Sequence, residues 1–300
     1  MRVIEYENLK WIDIVKPGEQ EANFLERQFG FHPLIVEEVK TPTYHPLVES
    51  YGAYLFLILH FPNFNFDNQQ IQNIEIDFLV TKDILVTVRY QDFSDFDAIF
   101  STIENNPGQY LNKTTGHLFH AIVKRLFNKT FPELDRVKEA IDKTEEEIFK
   151  RFDEHIIEEI AYIKHEIIDF IRALKPQKSV WESSPEILLD FWGERLKPYI
   201  SDLIADYNRT LHFAETHKEV VDSLHLTSSS LLDNKRNYVI KILTVFTAIL
   251  LPLSLIASIY GMNLVHLPLA NDPRAFWWFL WGMILITVGA VTWLKKNKWI

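Results

Sequence analysis

Hydrophobic positions along the chain change rhythm twice. Up to about residue 115 they come in short bursts. WIDI at 11–14 suits a short strand, and PGEQEANFLERQFG begins with Pro17 and stops at Gly30, the asymmetry expected of a helix. YLFLILHF (54–61) and IEIDFLVTKDILVTVRY (74–90) are rich in β-branched and aromatic residues, with Lys82-Asp83 where a hairpin would turn. The pattern predicts a mixed α/β domain over 1–115, in the order strand, helix, helix, sheet.

From about 116 to 236 the rhythm becomes helical, charged and almost free of glycine. DRVKEAIDKTEEEIFKRF (135–152) sets Val137, Ile141, Ile148 and Phe152 at helical spacings and leaves its acids on other faces. Such helices are too long and too charged to form a compact core alone, so a bundle or stalk is expected. LKPQKSVWESSPE (174–186), with two prolines and three serines, reads as a connection between helices.

The last sixty residues change the picture again. Residues 238–260 are apolar apart from Lys241 and small hydroxyls, and 275–294 carry no charge. Both runs meet the roughly 20 residues a spanning helix needs, which predicts membrane helices at 237–260 and 275–294 joined by a loop at 261–274. Lys235, Arg236 and Lys241 flank the first run, and Lys295, Lys296 and Lys298 follow the second. The loop has only Arg274. The positive-inside rule then puts both termini, the soluble portion and the basic tail 295–300 in the cytoplasm. Trp277, Trp278 and Trp281 near one end of the second run, and Trp293 and Trp299 near the other, fit interfacial belts.

Composition narrows the chemistry. With 41 acidic against 31 basic residues the chain lacks the basic field a nucleic-acid partner requires. It has no cysteine, hence neither disulfides nor a thiolate zinc site. MRVIEYENLKWIDIV has no basic start followed by a long apolar run, so no cleaved signal peptide is expected. Among 11 histidines there is no HExxH, and His117 and His120 form a pair without a third ligand nearby in sequence. Nothing resembles a phosphate loop, GxGxxG or GxSxG, so the chain is not read as an enzyme.

Asn237, Thr244, Thr247, Leu251, Ser254 and Ser258 are spaced by seven, three, four, three and four residues and fall on one stripe of the first apolar helix. Hydroxyls and an amide so aligned are either glue between helices or the lining of a wet path. Two spans cannot enclose a pore, so a path would lie on the axis of a homo-oligomer.

YGMN at 260–263, directly after a membrane helix and with a second span and the KKNKWI tail close behind, resembles the CorA family of divalent-cation channels. The resemblance extends to Pro252 in the first span and to GFHPLIVEE at 30–38, matching the family's G-x-HPL-x-x-E-[DE] stretch, and it covers essentially the whole chain. It implies a funnel-shaped homopentamer: an α+β cytoplasmic domain, a long-helix stalk running into the first span, and two C-terminal transmembrane helices in the inner membrane. A helix from about residue 198 to 261 would be roughly 90 Å long at 1.5 Å per residue.

The resemblance also assigns roles. Gly261, Met262 and Asn263 would form the selectivity filter, Asn263 offering amide oxygens and Gly261 a tight turn. Asn237, Ile240, Thr244, Thr247, Leu251, Ser254 and Ser258 would line the pore, with Ile240 and Leu251 as constrictions that gate by dewetting. The implied ion is Mg²⁺, both transported and regulatory, with Co²⁺ or Ni²⁺ as surrogates and no organic cofactor. Regulatory Mg²⁺ would sit between subunits on Glu38, with Glu37 beside it, and Asp202. Departures from the family are Glu38 in place of aspartate, Ser258 in place of glycine, and an outer loop, LVHLPLANDPR, whose acid is Asp272. The alternatives are a zinc transporter like ZntB, against which Met262 counts because that branch usually carries GIN, and a membrane-anchored metal sensor without transport.

Overall fold

The computed structural model describes residues 1–65, 70–150, 155–262 and 274–296. By contacts the chain divides into two compact units, Met1–Leu226 and Thr227–Ile300.

The first unit is built on a six-stranded sheet. Its strands are β1 (Arg2–Tyr6), β2 (Leu9–Val15), β3 (Leu47–Ser50), β4 (Leu55–Asn65), β5 (Gln70–Val80) and β6 (Ile84–Arg89), in the spatial order β1-β2-β6-β5-β4-β3. Neighbours are antiparallel except β2 and β6, which run parallel. The Lys82-Asp83 turn joins β5 to β6, where Thr81 and Ile84 close the loop through Thr81 N–H to Ile84 O at 2.8 Å. The first helix, α1 (Glu19–Phe29), ends as expected at Gly30, whose φ of 66° is the left-handed cap that a residue without Cβ adopts freely.

Alternation along the strands splits the core between the two faces of the sheet. On one face Ile12, Ile14, Phe56, Ile58, Leu79, Val86 and Val88 pack against Ala22 and Leu25 of α1 and Ile35 and Val36 of α2 (Pro33–Glu38). The other face, carrying Trp11, Leu57, Leu59, Ile76 and Phe78, packs with helical residues that follow the sheet. Those helices are α3 (Ser94–Asn105), the short α4 (Pro107–Tyr110), α5 (Thr115–Lys150), α6 (His155–Leu174), α7 (Lys178–Trp192) and the 64-residue α8 (Lys197–Tyr260).

Leu118, Phe119 and Phe127 of α5, Val180 and Trp181 of α7, and Ile200, Leu203 and Tyr207 of α8 share this single core with the strands. The compact units therefore divide the chain elsewhere than the segments 1–115 and 116–236, because the charged helices bury one face on the sheet instead of bundling by themselves.

The 174–186 stretch connects two helices over only its first few residues. Only Lys175–Gln177 breaks the helical path, as a short 3-10 turn, and α7 runs straight through Pro185. Pro185 has no N–H for the Trp181 carbonyl, but the Ser184 hydroxyl donates to that oxygen at 3.2 Å. The substitute bond lets a proline sit inside a helix.

In the second unit α8 continues without a break into the first apolar run, and α9 (Ala275–Lys296) holds the second. Both are long and apolar enough to cross a membrane. The loop residues Asn263 and Asp272, and the tail residues Lys298 and Trp299, lie outside the described residues.

Candidate functional site

Within the second unit α8 has two unlike faces. Lys241, Val245, Ile249, Leu253, Ile256 and Tyr260 are half-buried, spaced by three or four residues along one side. Phe279, Met283, Thr287 and Ala290 are half-buried on α9, with Leu294 buried at its end, and the Tyr260 and Phe279 rings meet at 3.9 Å between centroids. Asn237, Ile240, Thr244, Thr247, Leu251, Ser254 and Ser258 are all exposed in the single chain. At 100° per residue their mean direction lies about 160° from that of the half-buried face. The stripe thus points away from the side of α8 that is partly covered.

Its hydroxyls have a defined orientation. Thr244 donates to Ile240 O and Thr247 to Leu243 O, each at 2.8 Å. With the proton committed to the backbone, each oxygen turns acceptor lone pairs outward. Water bound to a cation points its hydrogens away from the ion, so such a face can solvate a hydrated cation without carrying charge.

At the end of α8 Gly261 N–H still bonds Ala257 O at 2.9 Å and Met262 N–H bonds Ile259 O at 3.3 Å. Gly261 does not adopt a left-handed φ, and a Cβ there would stand 3.3 Å from Ala257 O. Gly261 thus makes the last i→i−4 bond of α8 among the described residues. Asn263 lies outside the described residues.

The predicted regulatory residues fall in the first unit. Glu37 and Glu38 close α2, whose start is fixed by Pro33 and by the His32 ring nitrogen accepting from Leu34 N–H at 3.2 Å. Their environments differ. Glu37 is exposed and paired with Lys40 at 2.8 Å. The Glu38 carboxyl is raised above its ordinary value, first by partial burial and then by the neighbouring charges of Glu49 and Glu75. Glu75 and Asp77 belong to a polar end of the same sheet face that sequence reasoning did not single out. Both Glu75 oxygens accept from Thr43 N–H, at 2.9 and 2.7 Å, and Tyr90 donates to Asp77 at 2.6 Å. Burial, with Glu75 adding to it, pushes the Asp77 carboxyl well up despite that hydrogen bond.

Asp202, on α8, is already engaged. Its Oδ2 lies 2.8 Å from His120 Nε2 and its Oδ1 accepts from Lys124 Nζ at 3.0 Å. Lys124 also reaches Asp206 at 2.6 Å. Burial would raise the Asp202 carboxyl, but its bonds to His120 and Lys124 outweigh that and hold it below the usual range. The pair His117 and His120 is split in role: His117 meets the Thr114 hydroxyl at 2.8 Å while His120 faces Asp202. Lys124 went unnoticed in the sequence, yet a signal exists. His120 and Lys124 are four apart, as are Asp202 and Asp206, so two helix faces carry complementary charge.

A half-exposed carboxylate is a suitable hard oxygen ligand for Mg²⁺. Within one chain, however, no group of three or more His, Asp or Glu side chains is arranged to hold a metal ion among the described residues.

Comparisons with known proteins bear on the whole chain. The family described as "CorA-like Mg2+ transporter protein" matches residues 6–296. The chain is 26% identical over 296 residues to the cobalt/magnesium transport protein CorA of Thermotoga maritima, covering 97% of this chain and 83% of that one. The zinc transport protein ZntB of Pectobacterium atrosepticum is 20% identical, over 99% of this chain and 90% of its own length. The complete structure of the CorA magnesium transporter from Methanocaldococcus jannaschii superposes with a TM-score of 0.80 at 22% identity, covering 99% of this chain and 94% of that one. With the family matched from end to end and its fold reproduced, the chain belongs to the CorA family.

Proposed function

We propose that the chain forms a divalent-cation channel of the inner membrane that carries Mg²⁺ inward down the membrane potential. In this reading five copies set the α8 stripe around a common axis, α9 lies outside, both termini are cytoplasmic, and Gly261, Met262 and Asn263 form the filter at the outer mouth. The observation that carries the reading is the stripe itself: a row of acceptor oxygens on a membrane helix, directed away from the half-buried face. Polar groups left toward lipid are costly, so such a face belongs against other copies or against water.

The ion's chemistry suits this lining. Mg²⁺ dehydrates reluctantly, and neutral oxygens exchange hydrogen bonds with its water shell while binding weakly enough to release it. Leu251 and Ile240 interrupt the polar row and act as apolar constrictions. Cytoplasmic Mg²⁺, held between Glu38 of one subunit and Asp202 of the next, favours a closed state by neutralising acids that repel one another, and its loss releases the subunits.

The test is Mg²⁺ flux into proteoliposomes under an inside-negative potential. Asn263→Ala is expected to abolish flux seen in the unmodified chain. Flux that survives the substitution removes the filter assignment. Absence of Mg²⁺ flux in both, with Zn²⁺ moving under a proton gradient, replaces the reading with a zinc transporter, and absence of all flux leaves a membrane-anchored metal sensor.

A further inference from the structure

We propose that Lys124 is a tethered cation that competes with Mg²⁺ for Asp202 and so sets the concentration at which the regulatory site fills. The proposal rests on the reading of Asp202 as a regulatory ligand, and it adds a residue and a mechanism to it.

The geometry is that of an occupied ligand. Both Asp202 oxygens are engaged from α5, one by the Lys124 ammonium at 3.0 Å and the other by His120 at 2.8 Å. An incoming Mg²⁺, or a water of its first shell, needs the lone pairs that these groups hold. The Lys124 ammonium beside Asp202 also repels any second cation that approaches the carboxylate.

Displacement is nevertheless feasible, because the two aspartates differ. The Asp202 side chain is 43% exposed and open to an ion from solvent, whereas that of Asp206 is 11% exposed and paired with the same Lys124 at 2.6 Å. When Mg²⁺ takes Asp202, Lys124 keeps Asp206, so neither the ammonium nor the more buried carboxylate is left without a counter-charge. An ammonium has three donors and can shift between the two acceptors without leaving the α5–α8 contact. His120 likewise stays packed edge-on against Tyr199, with centroids 5.0 Å apart.

A lysine held here makes the site deliberately weak. A partly exposed pair contributes modestly, so removing the competitor is expected to lower the Mg²⁺ requirement by about two- to five-fold.

The experiment uses the full chain, purified as its assembly in detergent, and reads the Mg²⁺ concentration that gives half-maximal protection from limited proteolysis. Lys124→Gln is expected to reach half-protection at about two- to five-fold lower Mg²⁺, Lys124→Arg to stay with the unmodified chain, and Asp202→Asn to lose protection. Because the competition is electrostatic, added salt is expected to narrow the gap between Lys124→Gln and the unmodified chain. Loss of protection in Asp202→Asn with no lowering in Lys124→Gln overturns the tethered cation while leaving Asp202 a ligand. Unchanged protection in Asp202→Asn overturns the ligand reading and the competition together.

Discussion

In the Met1–Leu226 unit buried charges are matched by groups from other elements, whereas in the Thr227–Ile300 unit the hydroxyls of Thr244, Thr247, Thr287 and Thr292 bond back to their own helices. Asp13 shows the first style. It is fully buried on β2 and accepts from Arg89 of β6 at 3.0 Å, from Arg2 of β1 at 2.6 Å and from the Thr87 hydroxyl at 2.9 Å. The second style leaves one side of α8 half-buried and the polar side exposed. A unit that satisfies polar groups across elements ties its sheet and helices together within one chain. One that satisfies them within each helix leaves whole faces for something else to cover, and this is why the functional reading depends on further copies.

The largest effect expected from breaking this contrast comes from Asp13→Ala. It leaves the buried Arg89 guanidinium with only the half-exposed Asp97 at 2.6 Å, and a cost of about 3 kcal/mol follows for removing the buried partner. Denaturant unfolding of the full chain measures it, and a loss below about 1 kcal/mol would mean that the network behaves like a surface pair.

On the α8 stripe, Thr247→Val keeps shape and removes the outward acceptor. Flux is expected to drop several-fold with stability unchanged, because the lost bond is internal to the helix. A flux equal to that of the unmodified chain would return this hydroxyl to a packing role.

The smallest effect is a slope. Asp77 has a raised folded pKa, so between its ordinary 3.8 and the folded value the folded chain holds a proton that the unfolded chain has released. Stability contributed by this group therefore falls as pH rises through that window. Asp77→Asn, neutral throughout, is expected to flatten the decline in thermal midpoint over a pH series, and an unaltered slope would place the titration elsewhere.

What the sequence made legible was local or periodic. The α1 boundaries followed from Pro17 and Gly30, the β5–β6 hairpin from its turn residues, and the apolar helices from run length. The stripe followed from helical spacing, and its position opposite the half-buried face was not used to find it. Elements that depend on partners were harder to read. The strands β1 and β3 are short and at the sheet edges, with Ile4 their single buried residue, so their sequences RVIEY and LVES carry too few buried positions to signal pairing. The α7 helix was obscured by Pro185 because the compensating bond from Ser184 is invisible in a propensity argument. At the regulatory residues, Glu37 and Glu38 look alike in the chain and diverge only when Glu49 and Glu75 are brought beside one of them. The partners of Asp202, read from the sequence only as a regulatory ligand, came into view when α5 supplied His120 and Lys124.

The central claim is that the α8 stripe faces an axis shared by several copies and carries the ion. The chain has no cysteine, so a single Ser254→Cys substitution introduces a unique thiol on the stripe, and Leu253→Cys introduces one on the half-buried face as a control. The decisive measurement is ion flux through each variant before and after a membrane-impermeant thiol reagent, with oxidative cross-linking between subunits read in parallel. The account predicts block and cross-linking at 254 with neither at 253. Block at 253 with an unreactive 254 would contradict it, placing the path on the side of α8 assigned here to helix packing.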